Sequence, residues 1–355
     1  MEQKSSKPPQ ITQLSPAITW LRFPLIFLII ILHCYSVQRL DGEHELYFKA
    51  IYPCALWLGE TGVPGFFFIS GYLFFLSKKT YFQRIGTRMH TLLIPYFFWN
   101  ILLLCLYLIA YAIGIPQVIN HKSIAEFNLM DYIRLFWDRG SFDDGNFVPL
   151  LCPLWYIRNL LIMSLLSPLF YYIIRYAREV FVILVSIWWM ETYNNAFIPQ
   201  TILFFSLGGY FSIFEINPLE TFIKHKVLFI TLFTITAIVD VTTHGYIDTS
   251  FSLQFHRLAL IFNIPALFML ADWCTRNGYN KKVLPNAAFI VFCVHYPIVI
   301  LLRKVCIARF CTSPDYVHIV LYFLCVIIST LVSLGIYIVM NHYFPKIKKV
   351  ISGNR

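Results

Sequence analysis

Apolar residues gather along the chain into about ten runs, at 18–37, 52–76, 91–113, 151–174, 180–192, 197–215, 227–243, 255–275, 287–302 and 317–340, with short polar stretches between them. Crossing a bilayer as a helix takes roughly 20 predominantly apolar residues. The runs approach that length, and together they predict an all-α membrane protein, a polytopic bundle of about ten transmembrane helices. Ahead of the first run, MEQKSSKPPQITQLSPA is polar, carries prolines and has no small-residue cleavage site, so residues 1–17 read as a cytoplasmic tail rather than a signal peptide. With that end inside, alternate connections place seventeen Lys and Arg residues on the inner side and eight on the outer. By the positive-inside rule both termini are cytoplasmic. A transmembrane domain over 18–340 is then followed by a basic cytoplasmic tail, 341–355. Arg303, Lys304 and Arg309 dissent, falling on the outer side.

Composition agrees with the pattern. Hydrophobic residues make up 58% and charged residues 13%, against roughly 45–50% and 25% in soluble domains, which excludes an ordinary globular enzyme. The net charge of +10 is dispersed between apolar runs rather than gathered on one face, so it records topology and contact with membrane lipids, not nucleic acid. Nine cysteines show no Cys-x-x-Cys spacing, and read as small buried apolar residues with no metal site. Cys306 and Cys311 are near enough in sequence to pair across an outer loop.

Candidate chemistry lies in ionisable residues inside the runs. An ionisable group at membrane depth costs several kcal/mol unless it meets a partner or a wet cavity. Arg22 and His33 are eleven positions apart in ITWLRFPLIFLIIILHCYSV, so on a helix they lie about 20° apart in azimuth and about 16 Å apart in height. That geometry predicts a passage with a cation at one mouth and an imidazole further in. In the second run Gly59, Gly62, Pro64 and Gly65 surround Glu60, which predicts a bent or unwound helix beside a buried carboxylate; close helix packing is the alternative reading of the glycines. Arg158, about two turns into the fourth run, needs a partner, and Glu60 is the candidate. His295 falls near the middle of the ninth run. Asp240 and Asp272 fall near run ends, within reach of water, His256 and Arg257 read as interfacial, and Asn263 as a helix-packing hydrogen bonder. The outer stretch 114–150 mixes Glu126, Asp131, Asp138, Asp143 and Asp144 with Phe136, Trp137, Phe142 and Phe147, which suits either a sugar or a helix lying on the outer leaflet.

Four of these stretches occur in the order found in one family. The Arg22–His33 spacing, GETGVPGFFFISGYLFF with Ser70, the Leu-Trp-Tyr segment at 154–156 and FCVHYP around His295 resemble the acyltransferase family 3 membrane proteins. The resemblance implies a ten-helix domain in the bacterial inner membrane that passes an acetyl group from cytoplasmic acetyl-CoA to a hydroxyl of a cell-surface or lipid-linked saccharide. It implies His33 as the base, Arg22 holding donor phosphates or amides, Glu60 and Arg158 shaping the site, and His295 and Ser70 lining it for substrate. Basic residues of the 77–90 loop serve the donor in that family, often as Arg-x-x-Arg. Here Arg84 and Arg88 are one residue further apart. The lack of a fused outer domain favours an acceptor presented at the membrane. A secondary transporter or flippase for a glycan precursor is the alternative, since buried Arg, Glu and His also mark ion-coupled carriers. A scaffold without chemistry would leave the buried ionisable groups unexplained.

Overall fold

The computed structural model describes residues 11–35, 46–119, 121–140, 147–192, 196–243, 249–279, 283–310 and 312–353. Cys311 and the loop residues Phe142, Asp143 and Asp144 lie outside them, while Cys306 is a free, buried thiol. All ten apolar runs fall mainly in helices, as far as the described residues reach. They are α1 (Ile11–Tyr35), α2 (Tyr52–Glu60), α3 (Gly62–Leu76), α4 (Tyr81–Arg88), α5 (Ile94–Ala112), α6 (Leu129–Arg134), α7 (Trp155–Leu165), α8 (Ser167–Glu191), α9 (Phe197–Ile213), α10 (Pro218–Lys224), α11 (Lys226–Thr243), α12 (Thr249–Arg276), α13 (Val283–Phe310), α14 (Asp315–Tyr343) and α15 (Pro345–Ile351). Strands are confined, among the described residues, to a two-residue antiparallel pair, β1 (Val118–Ile119) and β2 (Lys122–Ser123). Among the described residues, six helices are long and apolar enough to cross a membrane, or eight if each of two bent pairs is one span: 152–165 with α8, at 70°, and α9 with α10, at 92°. The protein is an all-α, multi-pass membrane protein.

Side-chain size explains how the bundle closes. Gly59, Gly62 and Gly65 recur every third residue and face Leu32, Ile29 and Leu25 of α1, so a methyl group at any of them would strike that helix. Gly71 of α3 lies against the Phe205 carbonyl of α9, and Gly208 of α9 against the Phe68 carbonyl of α3, bringing the two backbones into contact. Close approach through small residues is the usual basis of helix association in lipid. The bend or unwinding expected around Glu60 is confined to one residue, Thr61, where α2 ends and α3 begins. Thr61, the residue between α2 and α3, keeps φ −63° and ψ −26°, a right-handed helical conformation, so packing accounts for the glycines. The fourth and fifth runs also divide differently from the sequence reading. The sharp bend falls at Leu166, while 175–179 lies inside α8, interrupted at Arg178 with φ 49° and ψ −127°.

Helix ends collect at two faces. On one, Tyr81 Oη donates to the Leu165 carbonyl at 2.9 Å and Trp99 Nε1 to the Ile351 carbonyl at 3.1 Å, which ties α4, α5, the end of α7 and α15 together. On the other, the Leu46 amide donates to Asp315 Oδ2 at 2.9 Å, joining the approach to α2 with the start of α14. Arg257 donates to the Trp189 and Thr192 carbonyls and so closes the end of α8, whose last carbonyls have no intrahelical partner.

Candidate active site

Two cavities open along α1. The first, of about 200 Å³, is lined by Arg22, Arg88, Ser70, Tyr156 and Asn286 among apolar residues. The second, of about 370 Å³, is lined by His33, Glu60, Arg139, Cys152, Trp155, Gln200 and Tyr296. Phe292 of α13 lines both. The eleven-residue spacing of Arg22 and His33 therefore places them in separate chambers, divided by a wall that includes Phe292.

Each chamber is assembled from distant elements. In the first, Ser70 and Tyr156 share a hydrogen bond of 3.1 Å between their hydroxyls, linking α3 to α7. Arg88, at the end of α4, approaches the Phe74 ring at 5.7 Å and reaches the chamber; Arg84 does not. Arg84 instead donates to the Phe74 carbonyl at 3.1 Å and stacks over the same ring at 4.9 Å, closing the end of α3. In the second chamber the His33 ring lies 5.4 Å from the His295 ring and meets Tyr296 edge-on at 5.0 Å. His295 is fully buried, and its Nδ1–H donates to the Val291 carbonyl at 3.1 Å. That bond leaves Nε2 as an acceptor, and it has no hydrogen-bond partner among the described residues. Trp155 and Phe197 stack at 4.1 Å to form an aromatic wall.

The expected partnership of Arg158 with Glu60 is not formed. Arg158 is buried, donates to Asn159 Oδ1 at 3.2 Å and to the Trp137 and Phe147 carbonyls at 2.5 and 3.0 Å, and lies 5.1 and 4.1 Å from the rings of those two residues. It fastens the stretch after α6 over the bundle. This stretch sends Arg139 into the second chamber, where it lies against Tyr296 and Cys152. Two of the loop's acids are engaged locally. Asp131 accepts from Lys122 at 2.6 Å, which holds its carboxyl below the usual carboxylate range, and Asp138 accepts from Arg134 at 3.1 Å. Exposed Leu129, Met130 and Ile133 give α6 an apolar outer face.

Glu60 is paired with His256. The His256 Nε2 atom lies 3.1 Å from Glu60 Oε2, and its Nδ1 lies 2.9 Å from Asp240 Oδ2. Asp240, His256 and Arg257 are buried within the bundle, where α2, α8, α11 and α12 pack together. Asp272 is also buried and accepts from Arg276 at 2.8 Å, while Asn263 bonds Thr61 at 2.6 Å and accepts from Trp57 at 3.2 Å, as a packing residue does.

A family model described as "Acyltransferase domain" matches residues 15–338, nearly the whole chain. The protein belongs to that acyltransferase family. It is 26% identical over 268 residues, 69% of this chain and 68% of the relative, to the "Succinoglycan biosynthesis protein ExoH" of Rhizobium meliloti (strain 1021). No solved structure matches. Arg139, Tyr296 and Asn286 line the chambers and His256 pairs with one of their lining residues, Glu60, and the linear pattern singled out none of the four for chemistry. Arg139 looked like one loop cation among three; only its line of entry into the His33 chamber distinguishes it.

Proposed function

We propose that the protein is a membrane O-acyltransferase that moves an acetyl group from cytoplasmic acetyl-CoA to a hydroxyl of a cell-surface or lipid-linked saccharide. The observation that carries this reading is the pair of chambers on α1, cationic at one end, bearing an imidazole and a carboxylate at the other, and sharing Phe292. Membership of an acyltransferase family favours transfer over the carrier alternative, and a relative named for making a glycan favours a saccharide acceptor. In this reading the chain crosses a bacterial inner membrane ten times, through α1, α2 with α3, α5, α7, α8, α9, α11, α12, α13 and α14. Both termini are then on the Arg22 side, in the cytoplasm.

Arg22 and Arg88 face the anionic and amide groups of the donor. At about 200 Å³ their chamber is below the roughly 300–1,000 Å³ of pockets that enclose drug-sized ligands. It therefore admits the acyl arm, and the nucleotide stays at the cytoplasmic mouth near the basic segment 78–88. His33 takes the proton of the acceptor hydroxyl as its oxygen attacks the thioester carbonyl. The tetrahedral oxyanion is held by a positioned cation, Arg139. Collapse breaks the carbon–sulfur bond, and the proton on His33 passes to the departing coenzyme A sulfur. His295, with its acceptor nitrogen beside His33, orients that ring.

Labelled acetyl-CoA turnover by purified protein in lipid, with a panel of glycan acceptors present or absent, tests the reading. Acceptor-dependent release of coenzyme A, lost in His33→Ala, is the expected result. If no acceptor causes coenzyme A to be bound or consumed, transfer is the wrong reaction class.

A further inference from the structure

The Glu60–His256–Asp240 chain is unused by the chemistry above. Its three members come from α2, α12 and α11, and they meet only because those helices pack together. Asp240 and His256 are buried, at 2% and 9% exposure, whereas the Glu60 side chain is 42% exposed and lines the His33 chamber. Both ring nitrogens face a carboxylate oxygen. Satisfying both contacts takes two hydrogens, whether as imidazolium between two carboxylates or as imidazole with one carboxylic acid. Either arrangement leaves one net negative charge on the chain, and Glu60 is the member that meets the chamber.

A carboxylate held this way is suited to one task in an O-acyl transfer to sugar. Carboxylate oxygens accept from two hydroxyls at once. Glu60 stands in the same chamber as Gln200 and the stacked Trp155–Phe197 wall, which supplies the flat apolar surface that a sugar ring face covers. We propose that Glu60 is the acceptor-binding carboxylate of the outer chamber and that His256 and Asp240 are positioning residues that fix its direction. The inference rests on the acyltransferase reading and deepens it: the acceptor is a polyhydroxyl group recognised through paired hydroxyls, and Asp240 acts on it only through His256.

Two measurements on full-length protein in lipid nanodiscs test this. The first is the KM for octyl glucoside, octyl galactoside and octyl glucuronide as acceptors and for acetyl-CoA as donor. The second is equilibrium binding of the same labelled glycosides and of acetyl-CoA, each alone. Glu60→Gln, His256→Gln and Asp240→Asn are expected to raise acceptor KM and weaken glycoside binding at least tenfold, with donor KM and acetyl-CoA binding unmoved; Arg22→Ala does the reverse. Unchanged glycoside binding in the three variants overturns the proposal. So does parallel loss of donor and acceptor binding, which marks a structural role only. A wild-type protein that transfers acetyl normally while the variants keep wild-type acceptor KM sinks this inference and leaves the reaction standing. A wild type that neither transfers nor binds any glycoside removes both.

Discussion

Two arginines close to the outer chamber have different work, and their contacts separate them. Arg158 spends its guanidinium on two backbone carbonyls, Asn159 and two aromatic rings. Arg139 faces the chamber itself. Arg139→Ala is expected to lower kcat by about 10²–10³, the usual effect of removing one oxyanion donor, with little change in melting temperature. Arg158→Ala is expected to act through stability, since each lost hydrogen bond to a charged group costs about 1.5–3 kcal/mol. Turnover and thermal melting measured on both variants decide this. A normally active Arg139→Ala beside an inactive Arg158→Ala of unchanged melting temperature would take the oxyanion role from Arg139 and point to Arg158. Part of the chamber lining was legible beforehand. Arg22, His33, Glu60 and His295 stand out because each is ionisable in an apolar run, and all four lie at or beside the chambers. Their partners were not legible. Glu60 and His256 are 196 positions apart, and hydropathy says how deep a residue lies, not which neighbour it faces.

At the scale of helices, apolar runs located every long element, because length and hydropathy alone determine what can span a bilayer. The breaks were harder. Glycine clusters around Glu60 mimic a broken helix, yet Thr61 remains helical and the glycines serve contact with α1. The same logic yields a test at the α3–α9 seam, where Gly71 and Gly208 each lie against a backbone carbonyl of the partner helix. Neither carbonyl can move aside as a side chain could. Gly71→Ala and Gly208→Ala should each destabilise the fold by about 1–3 kcal/mol, the common cost of overpacking. Gly335, in α14, has nothing within 4 Å of an added methyl, so Gly335→Ala should be neutral or gain up to about 0.8–1.0 kcal/mol of helix propensity. Thermal unfolding in detergent ranks the three. Equal losses at all three positions would mean that the seam is not under closer contact than the lipid face.

For the whole molecule, the placement of the chambers matters more than either one alone. A donor that enters from one face and an acceptor that enters from the other must meet without admitting water to the thioester, because hydrolysis competes with transfer. The arrangement first requires that the two chambers open to opposite sides. Cysteines placed at Lys79 and Glu126, in a background with the exposed native cysteines replaced, should be labelled by an impermeant maleimide from the cytoplasmic and the outer side respectively. Labelling of both from one side would contradict the ten-crossing arrangement. The arrangement next requires a partition, and Phe292 is the residue common to both walls. Its ring is buried and packs against Tyr156 at 6.1 Å and His295 at 6.2 Å. Removing it as Phe292→Ala joins cavities of about 200 and 370 Å³, and truncating a buried Phe costs about 3–5 kcal/mol of stability. Phe292→Leu keeps most of the volume and serves as the milder variant. In both, coenzyme A release without acceptor should rise relative to acceptor-dependent transfer, more in the alanine variant. The ratio of the two rates is the informative quantity, since partial unfolding lowers both together while an opened partition moves them apart. A folded Phe292→Ala protein with the wild-type ratio would show that water is excluded from the thioester by something other than this ring.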